Sequence, residues 1–267
     1  MARTLFSVLS FVAVGVSSGC ASEPVNPSFS LTQPQAHQAI EQMRDDPRQL
    51  DRPLVVISGF FDPNISPTLF KCFFKGVTRD ATIIPVSVGF CGSFAECRQR
   101  VIEAVDKACP SDDPVWTTGV DVVGASLGGL VARFAAAPSP DQAQPRRLRI
   151  VRLFSISSPH SGAKLAQSIA LTDYHRDFRP GSPFLNTLAS EDAGEAYQLV
   201  PYVHLNDEIV GDRNAAPPGK TAYWLPNDSI LPPHAAAMID ERILADIARR
   251  LRDEPAFTKS PAAPLPD

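Results

Sequence analysis

Val120-Asp121-Val122-Val123-Gly124-Ala125-Ser126-Leu127-Gly128-Gly129-Leu130-Val131-Ala132-Arg133 is the stretch on which the reading of this chain turns. Its first four residues, Val120-Asp121-Val122-Val123, are mostly apolar and β-branched and read as a short buried strand. From Leu127 to Ala137 the pattern is helical, and it stops before Pro138, because the residue preceding a proline is pushed out of the helical region. Between strand and helix stands Gly124-Ala125-Ser126-Leu127-Gly128, a Gly-x-Ser-x-Gly run. A strand that turns straight into a helix at such a run presents the serine hydroxyl on a sharp bend. The flanking positions must be small for the turn to close, and Gly129 lets the helix approach the sheet. The helix start then aims free N–H groups and its positive dipole end at the hydroxyl. Ser126 is therefore the candidate nucleophile; the competing reading is a glycine-rich turn with an idle serine.

Working outward, the same alternation continues in both directions. Leu54-Val55-Val56-Ile57 is a strand that ends in the turn Ser58-Gly59. A helix is expected from Pro67 to Thr78, a strand from Ala81 to Val88 and a helix from Ser93 to Ala108. Beyond the central stretch, strands are expected at Ile150–Ile156, Leu199–Leu205 and Thr221–Leu225. One amphipathic helix should run from Ala235 to Leu251, with Met238, Ile239, Ile243, Leu244, Ile247 and Leu251 as its apolar stripe. Residues 161–196 show helix and loop patterns but no strand. This alternation predicts an α/β fold: a mostly parallel central sheet with helices on both faces and a small helical cap. Ligands on such sheets bind outside the carboxyl ends of the strands. A short helix from Gln33 to Met43 precedes the domain in residues 21–50, the domain itself spans 51–253, and the proline-rich residues 254–267 read as a disordered tail.

Composition narrows the function classes. The chain has 267 residues, 44% hydrophobic and 20% charged, with a formal net charge of -4, so no basic field suits nucleic acid. No metal-ligand spacing occurs among Cys and His, and no cofactor motif is present. Arg3 followed by the apolar run Leu5–Val16 reads as an export signal, too short to span a bilayer. Ser17-Ser18-Gly19-Cys20 resembles a bacterial lipobox, with Ser17 where leucine is preferred; Cys20 would then carry lipid, and plain cleavage nearby is the alternative. Export to the cell envelope or beyond makes the remaining Cys72, Cys91, Cys97 and Cys109 candidates for two disulfides, with the pairing open. Buried free thiols are the alternative.

Three stretches carry a resemblance to a known family. Val122–Arg133 is similar to the nucleophile turn of bacterial lipases and esterases of the α/β-hydrolase superfamily. Ile156-Ser157-Ser158-Pro159-His160-Ser161-Gly162-Ala163 resembles the Pro-His-x-Gly segment after the next strand in lipases. Arg179-Pro180-Gly181-Ser182-Pro183-Phe184-Leu185 resembles a stretch of their capping region. The resemblance covers about Arg52 to Leu251 and implies the α/β-hydrolase fold and acyl-transfer chemistry without a cofactor.

A serine hydroxyl is a weak nucleophile and needs a base within hydrogen-bond reach and a carboxylate to orient that base. The resemblance implies the chain order serine, acid, histidine. It points to His234, just before the last helix, as base; His160 is the main rival, although lipases use that position structurally. Asn206-Asp207-Glu208-Ile209-Val210 is similar to the family's acid loop, which makes Asp207 the expected acid and leaves Glu208 and Asp212 as neighbours that could replace it. An oxyanion hole needs two preorganised N–H donors. Leu127, after the serine, supplies one; the loop Ser58-Gly59-Phe60-Phe61 points to Phe60 for the other, although Ser58 stands where lipases carry histidine. The apolar residues Leu165, Ile169, Leu171, Phe178, Phe184, Leu185 and Leu188 of the cap suit an aliphatic acyl chain, or ordinary packing. The expected activity is hydrolysis of ester or lipid substrates. Rival readings are a thioesterase, acyltransferase or polyester depolymerase on the same fold, or a catalytically silent, lipid-binding envelope lipoprotein.

Overall fold

The computed structural model describes residues 24–139, 141, 145–167, 173–191 and 197–266. Cys20 and the export signal lie outside the described residues, as do Ile169 and Leu171 of the cap.

Six strands form one all-parallel sheet in the order β2-β1-β3-β4-β5-β6. They are β1 (Leu54–Ile57), β2 (Ile83–Val86), β3 (Val120–Ala125), β4 (Ile150–Ile156), β5 (Gln198–His204) and β6 (Tyr223–Leu225). The apolar, β-branched strand sequences follow from burial on both faces. In β1, Val55 and Ile57 join one core with the helices α3 (Phe94–Ala108) and α4 (Leu127–Ala136). Leu54 and Val56 point to the other face, where α1 (Gln33–Asp45), α2 (Ile65–Val77) and α8 (Glu241–Leu251) cover the sheet. The chain moves from β1 outward to β2 and then returns to β3 on the opposite side of β1, so the carboxyl ends of β1 and β3 flank the switch point where ligands bind in such sheets.

Several boundaries differ from expectation for local reasons. α1 begins at Gln33 as expected, where Thr32 and Gln35 close a capping box, but runs on to Asp45 rather than stopping at Met43. α2 starts two residues early, since the Asp62 carboxylate accepts from the N–H groups of Ile65 and Ser66. The single last helix is in fact two, α7 (Pro233–Ala237) and α8, because Asp240 turns the chain and caps α8 through the N–H of Arg242. Ile239 falls in the break and is exposed rather than in the apolar stripe. The cap contains α5 (Asp173–Asp177) and α6 (Pro183–Glu191).

Two expectations are overturned. The tail is ordered: Phe257 and Ala262 pack on the core, Trp224 Nε1 donates to Pro264 O at 2.8 Å, and Thr258 N donates to the buried Asp246 carboxylate at 2.8 Å. Proline there fixes an extended strap with few backbone donors left to satisfy. The four cysteines are free thiols. Cys97 lies in the first turn of α3 and Cys109 caps its end, about 18 Å apart along its axis and too far to bond. Cys72 is exposed on α2, and the buried Cys91 thiol is raised by desolvation against a hydrogen bond from Cys97.

Candidate active site

Ser126 stands between β3 and α4 with φ 47° and ψ -120°, a backbone position that non-glycine residues rarely adopt. Such a conformation costs about 1–3 kcal/mol and persists only where its surroundings enforce it. The surroundings are the glycines. A Cβ on Gly124 would lie 2.4 Å from Gly129 N, and one on Gly128 would lie 2.5 Å from Ile57 O. The turn therefore closes only with both glycines, and it brings the start of α4 directly against the end of β1. Leu127, the first residue of α4, has no intrahelical acceptor for its N–H.

The histidine arrives from far along the chain. His234 Nε2 is 3.1 Å from Ser126 Oγ, and His234 Nδ1 is 2.9 Å from Asp207 Oδ2. Because the carboxylate can only accept, Nδ1 carries the proton and Nε2 is left to accept from the serine hydroxyl. Asp207 is fully buried while the imidazole stays 17% exposed, so the ring meets the cleft and the carboxylate does not. Burial alone would push the Asp207 carboxyl up; the hydrogen bond and charge of His234 and the Val210 N–H reverse this and hold it below its ordinary value. Ile209 N and Val210 N donate to Oδ1 at 3.0 and 2.8 Å, fixing the carboxylate in its loop. The Ser157 hydroxyl lies buried beside the same carboxylate, outside good hydrogen-bond geometry.

The rival side chains are occupied elsewhere. Glu208 accepts from the His234 backbone N–H at 3.3 Å, and Asp212 from Asn206 N at 3.2 Å; neither meets the ring. His160 is buried, with Nδ1 3.1 Å from Arg133 Nη1 and Nε2 2.8 Å from Ser155 Oγ. Burial and then the Arg133 charge hold it well below the ordinary histidine value, so it is a neutral link between α4 and β4. His37 pairs with Glu241 at the surface.

Phe60 and Leu127 both wall the cleft beside Ser126. A Cβ on Gly59 would come 3.2 Å from Ser126 Cβ, so the loop after β1 passes directly over the serine. Ser58 has a role that the sequence did not disclose: its hydroxyl accepts from Val88 N at 2.8 Å and donates to Gly59 O at 3.2 Å, tying that loop to the end of β2. Phe61 follows with φ 54°, and its N–H donates to Gly89 O at 3.0 Å.

A cleft of about 310 Å³ opens beside Ser126. Its walls are overwhelmingly apolar: Phe60, Phe61, Leu165, Phe178, Ile209 and Val210, with His175 edge-on to Phe60 at 5.1 Å between ring centres. The cap is stitched to the acid loop by Lys164 N to Val210 O at 3.0 Å and Leu165 N to Ile209 O at 2.9 Å. Leu185 and Leu188 are buried against α3 and α4, and Phe184 stacks on Phe94, so these cap residues serve packing. A larger groove of about 430 Å³ shares no residue with this cleft; Ala39, Gln42 and Met43 of α1 line it beside the charged Arg48, Arg249 and Glu254. Among the described residues, no three His, Cys, Asp or Glu side chains gather as a metal site.

In sequence, the chain matches no family model and no curated protein. In structure it is similar to a lipase of Bacillus licheniformis, BlEst2. The form with its propeptide superposes with TM-score 0.55 at 14% identity, covering 81% of this chain and 53% of that one. The mature form superposes with TM-score 0.52 at 14% identity, covering 80% of this chain and 94% of that one. This chain thus spans about half the length of the longer form. Together with the parallel six-stranded sheet, the likeness shows the α/β-hydrolase fold.

Proposed function

We propose that this chain is a serine hydrolase that cleaves carboxylic esters of an uncharged acyl group through an acyl-enzyme on Ser126. The observation that carries the reading is the unbroken relay from the Ser126 hydroxyl through His234 to Asp207, at 3.1 and 2.9 Å. As Ser126 Oγ attacks the ester carbonyl, His234 Nε2 takes its proton and Asp207 stabilises the resulting imidazolium. The carbonyl oxygen gathers negative charge in the tetrahedral intermediate, and the backbone N–H groups of Phe60 and Leu127 are the assigned donors to it. Collapse returns the proton to the leaving alcohol; a water activated by the same imidazole then releases the acid.

The acyl group is assigned from the cleft. Among the described residues no Asp, Glu, Lys or Arg lines it, so an acyl chain bearing a carboxylate or phosphate would lose its hydration without a partner. An aliphatic or aromatic acyl group gains about 0.8 kcal/mol per buried methylene there. Thioesters and acyl transfer share the same acyl-enzyme and differ only in the leaving or accepting group. The silent-lipoprotein reading leaves a strained serine and an aligned base without a purpose.

The test is a panel of p-nitrophenyl esters, acyl thioesters and polyester film. The reading expects ester turnover that falls about 10³-fold or more in Ser126→Ala with folding intact. Turnover that survives in Ser126→Ala rejects it. Export, with lipid on Cys20, forms part of the same proposal on the strength of the amino-terminal sequence; incorporation of labelled palmitate that disappears in Cys20→Ser is the expected result.

A further inference from the structure

We infer that His204 is a positioning residue for this chemistry, the centre of a buried brace that holds His234 against Asp207; the inference rests on the ester-hydrolase reading above. His204 closes β5, three residues before Asp207. Its Nε2 donates to Asp240 Oδ2 at 2.8 Å, and both side chains are 2% exposed. Asp240 stands six residues after His234, at the turn that separates α7 from α8. The strand that leads to the acid is thereby bonded to the turn that leaves the base.

The second half of the brace reaches the other side of His234. Arg242 Nε donates to Asp240 Oδ1 at 3.0 Å. Its Nη2 donates to Pro226 O at 3.1 Å and to Asp228 Oδ1 at 2.9 Å, in the loop between β6 and α7. Both chain segments that flank His234 are therefore anchored to one buried carboxylate, and that carboxylate is held by the end of β5. The base itself rides on a helix of only five residues, too short to hold a position by its own hydrogen bonds. A shift of about 1 Å at such a group costs up to about a hundredfold in rate. No group of the brace touches Ser126, so its effect passes through the alignment of His234.

The experiment compares His204→Phe, which keeps a ring but no donor, with His204→Gln and His204→Asn, in the full exported chain on p-nitrophenyl butyrate. Gln places its amide nitrogen near the reach of Nε2, and Asn near that of Nδ1. The expected result is a 10- to 100-fold loss of kcat in His204→Phe with KM within twofold, largely restored in His204→Gln and not in His204→Asn. Equal kcat in folded wild type and His204→Phe overturns the brace. If His204→Phe does not fold, the Gln–Asn pair decides, and equal kcat in these two overturns it. A folded wild type with no ester turnover removes the hydrolase reading and the brace together, which distinguishes that failure from an active enzyme indifferent to position 204.

Discussion

Among the described residues His234 and His204 are each bonded to a buried aspartate, and of these two only His234 faces a hydroxyl. His234 gives Nδ1 to Asp207 and turns Nε2 toward Ser126 in an apolar cleft. His204 gives Nε2 to Asp240, and its Nδ1 is buried with no hydrogen-bond partner. A His–Asp pair by itself is thus not a reactive centre. What separates the two is the second ring nitrogen: in one pair it meets a strained serine at the end of a strand, in the other it meets packed side chains. Position in the fold sets this difference, because the first pair reaches the serine that follows β3 and the second ties the end of β5 to the turn before α8.

The largest effect expected from breaking the comparison is at the first pair. His234→Gln and Asp207→Asn should each lower kcat by about 10³- to 10⁴-fold. His234→Gln should do so with the melting temperature nearly unchanged, since its ring is partly exposed. The loss is read from kcat and from thermal melts on the same preparations.

A third histidine sharpens the contrast by stability rather than rate. His160 links Arg133 to Ser155 in the core, and His160→Phe should cost about 2–4 kcal/mol in denaturant unfolding while turnover stays within a few-fold. The sign with pH follows from its depressed folded value. The native state resists protonation that the unfolded chain accepts near the ordinary value of about 6.5. Its contribution is therefore complete above that pH and declines as pH falls below it, and His160→Phe should flatten the unfolding free energy across that window.

The smaller effect belongs to Asp240. Burial opposes its charge, but the hydrogen bonds of His204 and Arg242 lower its carboxyl to about 2. A depressed carboxyl stabilises the fold above the unfolded value of about 3.9 and loses that contribution as pH falls through about 2; the gain at neutral pH is about 2 kcal/mol. Asp240→Asn should remove this acid-side slope, measured as the unfolding free energy from about pH 5 down to about pH 2.

The fold was legible because its decisive signals are local. The run from Val120 to Arg133 contains a strand, a turn that only small residues can close, and a helix, and the remaining strands are short β-branched runs. The three side chains singled out in the sequence come together in space because each stands just beyond a strand of one parallel sheet or on the short helix that follows. What escaped was set by contacts distant in sequence. The apolar stripe continues through Met238 and Ile239, so periodicity hid the break at Asp240, although an Asp before Glu241 is a helix-start signal. The His204–Asp240 bond joins positions 36 residues apart and has no motif. The proline-rich tail looks unfolded by composition, yet Ser28, Trp224 and Asp246 hold it through its backbone. Cysteine number suggested disulfides, but the thiols are free: a helix keeps Cys97 and Cys109 apart, and Cys91 and Cys97 meet through a hydrogen bond rather than a covalent one.

The central claim is that the His234–Asp207 pair makes the Ser126 hydroxyl nucleophilic. Intact-mass and peptide mapping after exposure to a fluorophosphonate test it most directly. A single adduct on Ser126, lost in Ser126→Ala and slowed at least a hundredfold in His234→Gln, is the predicted result. A folded protein that stays unmodified, or one modified at a different residue, contradicts it.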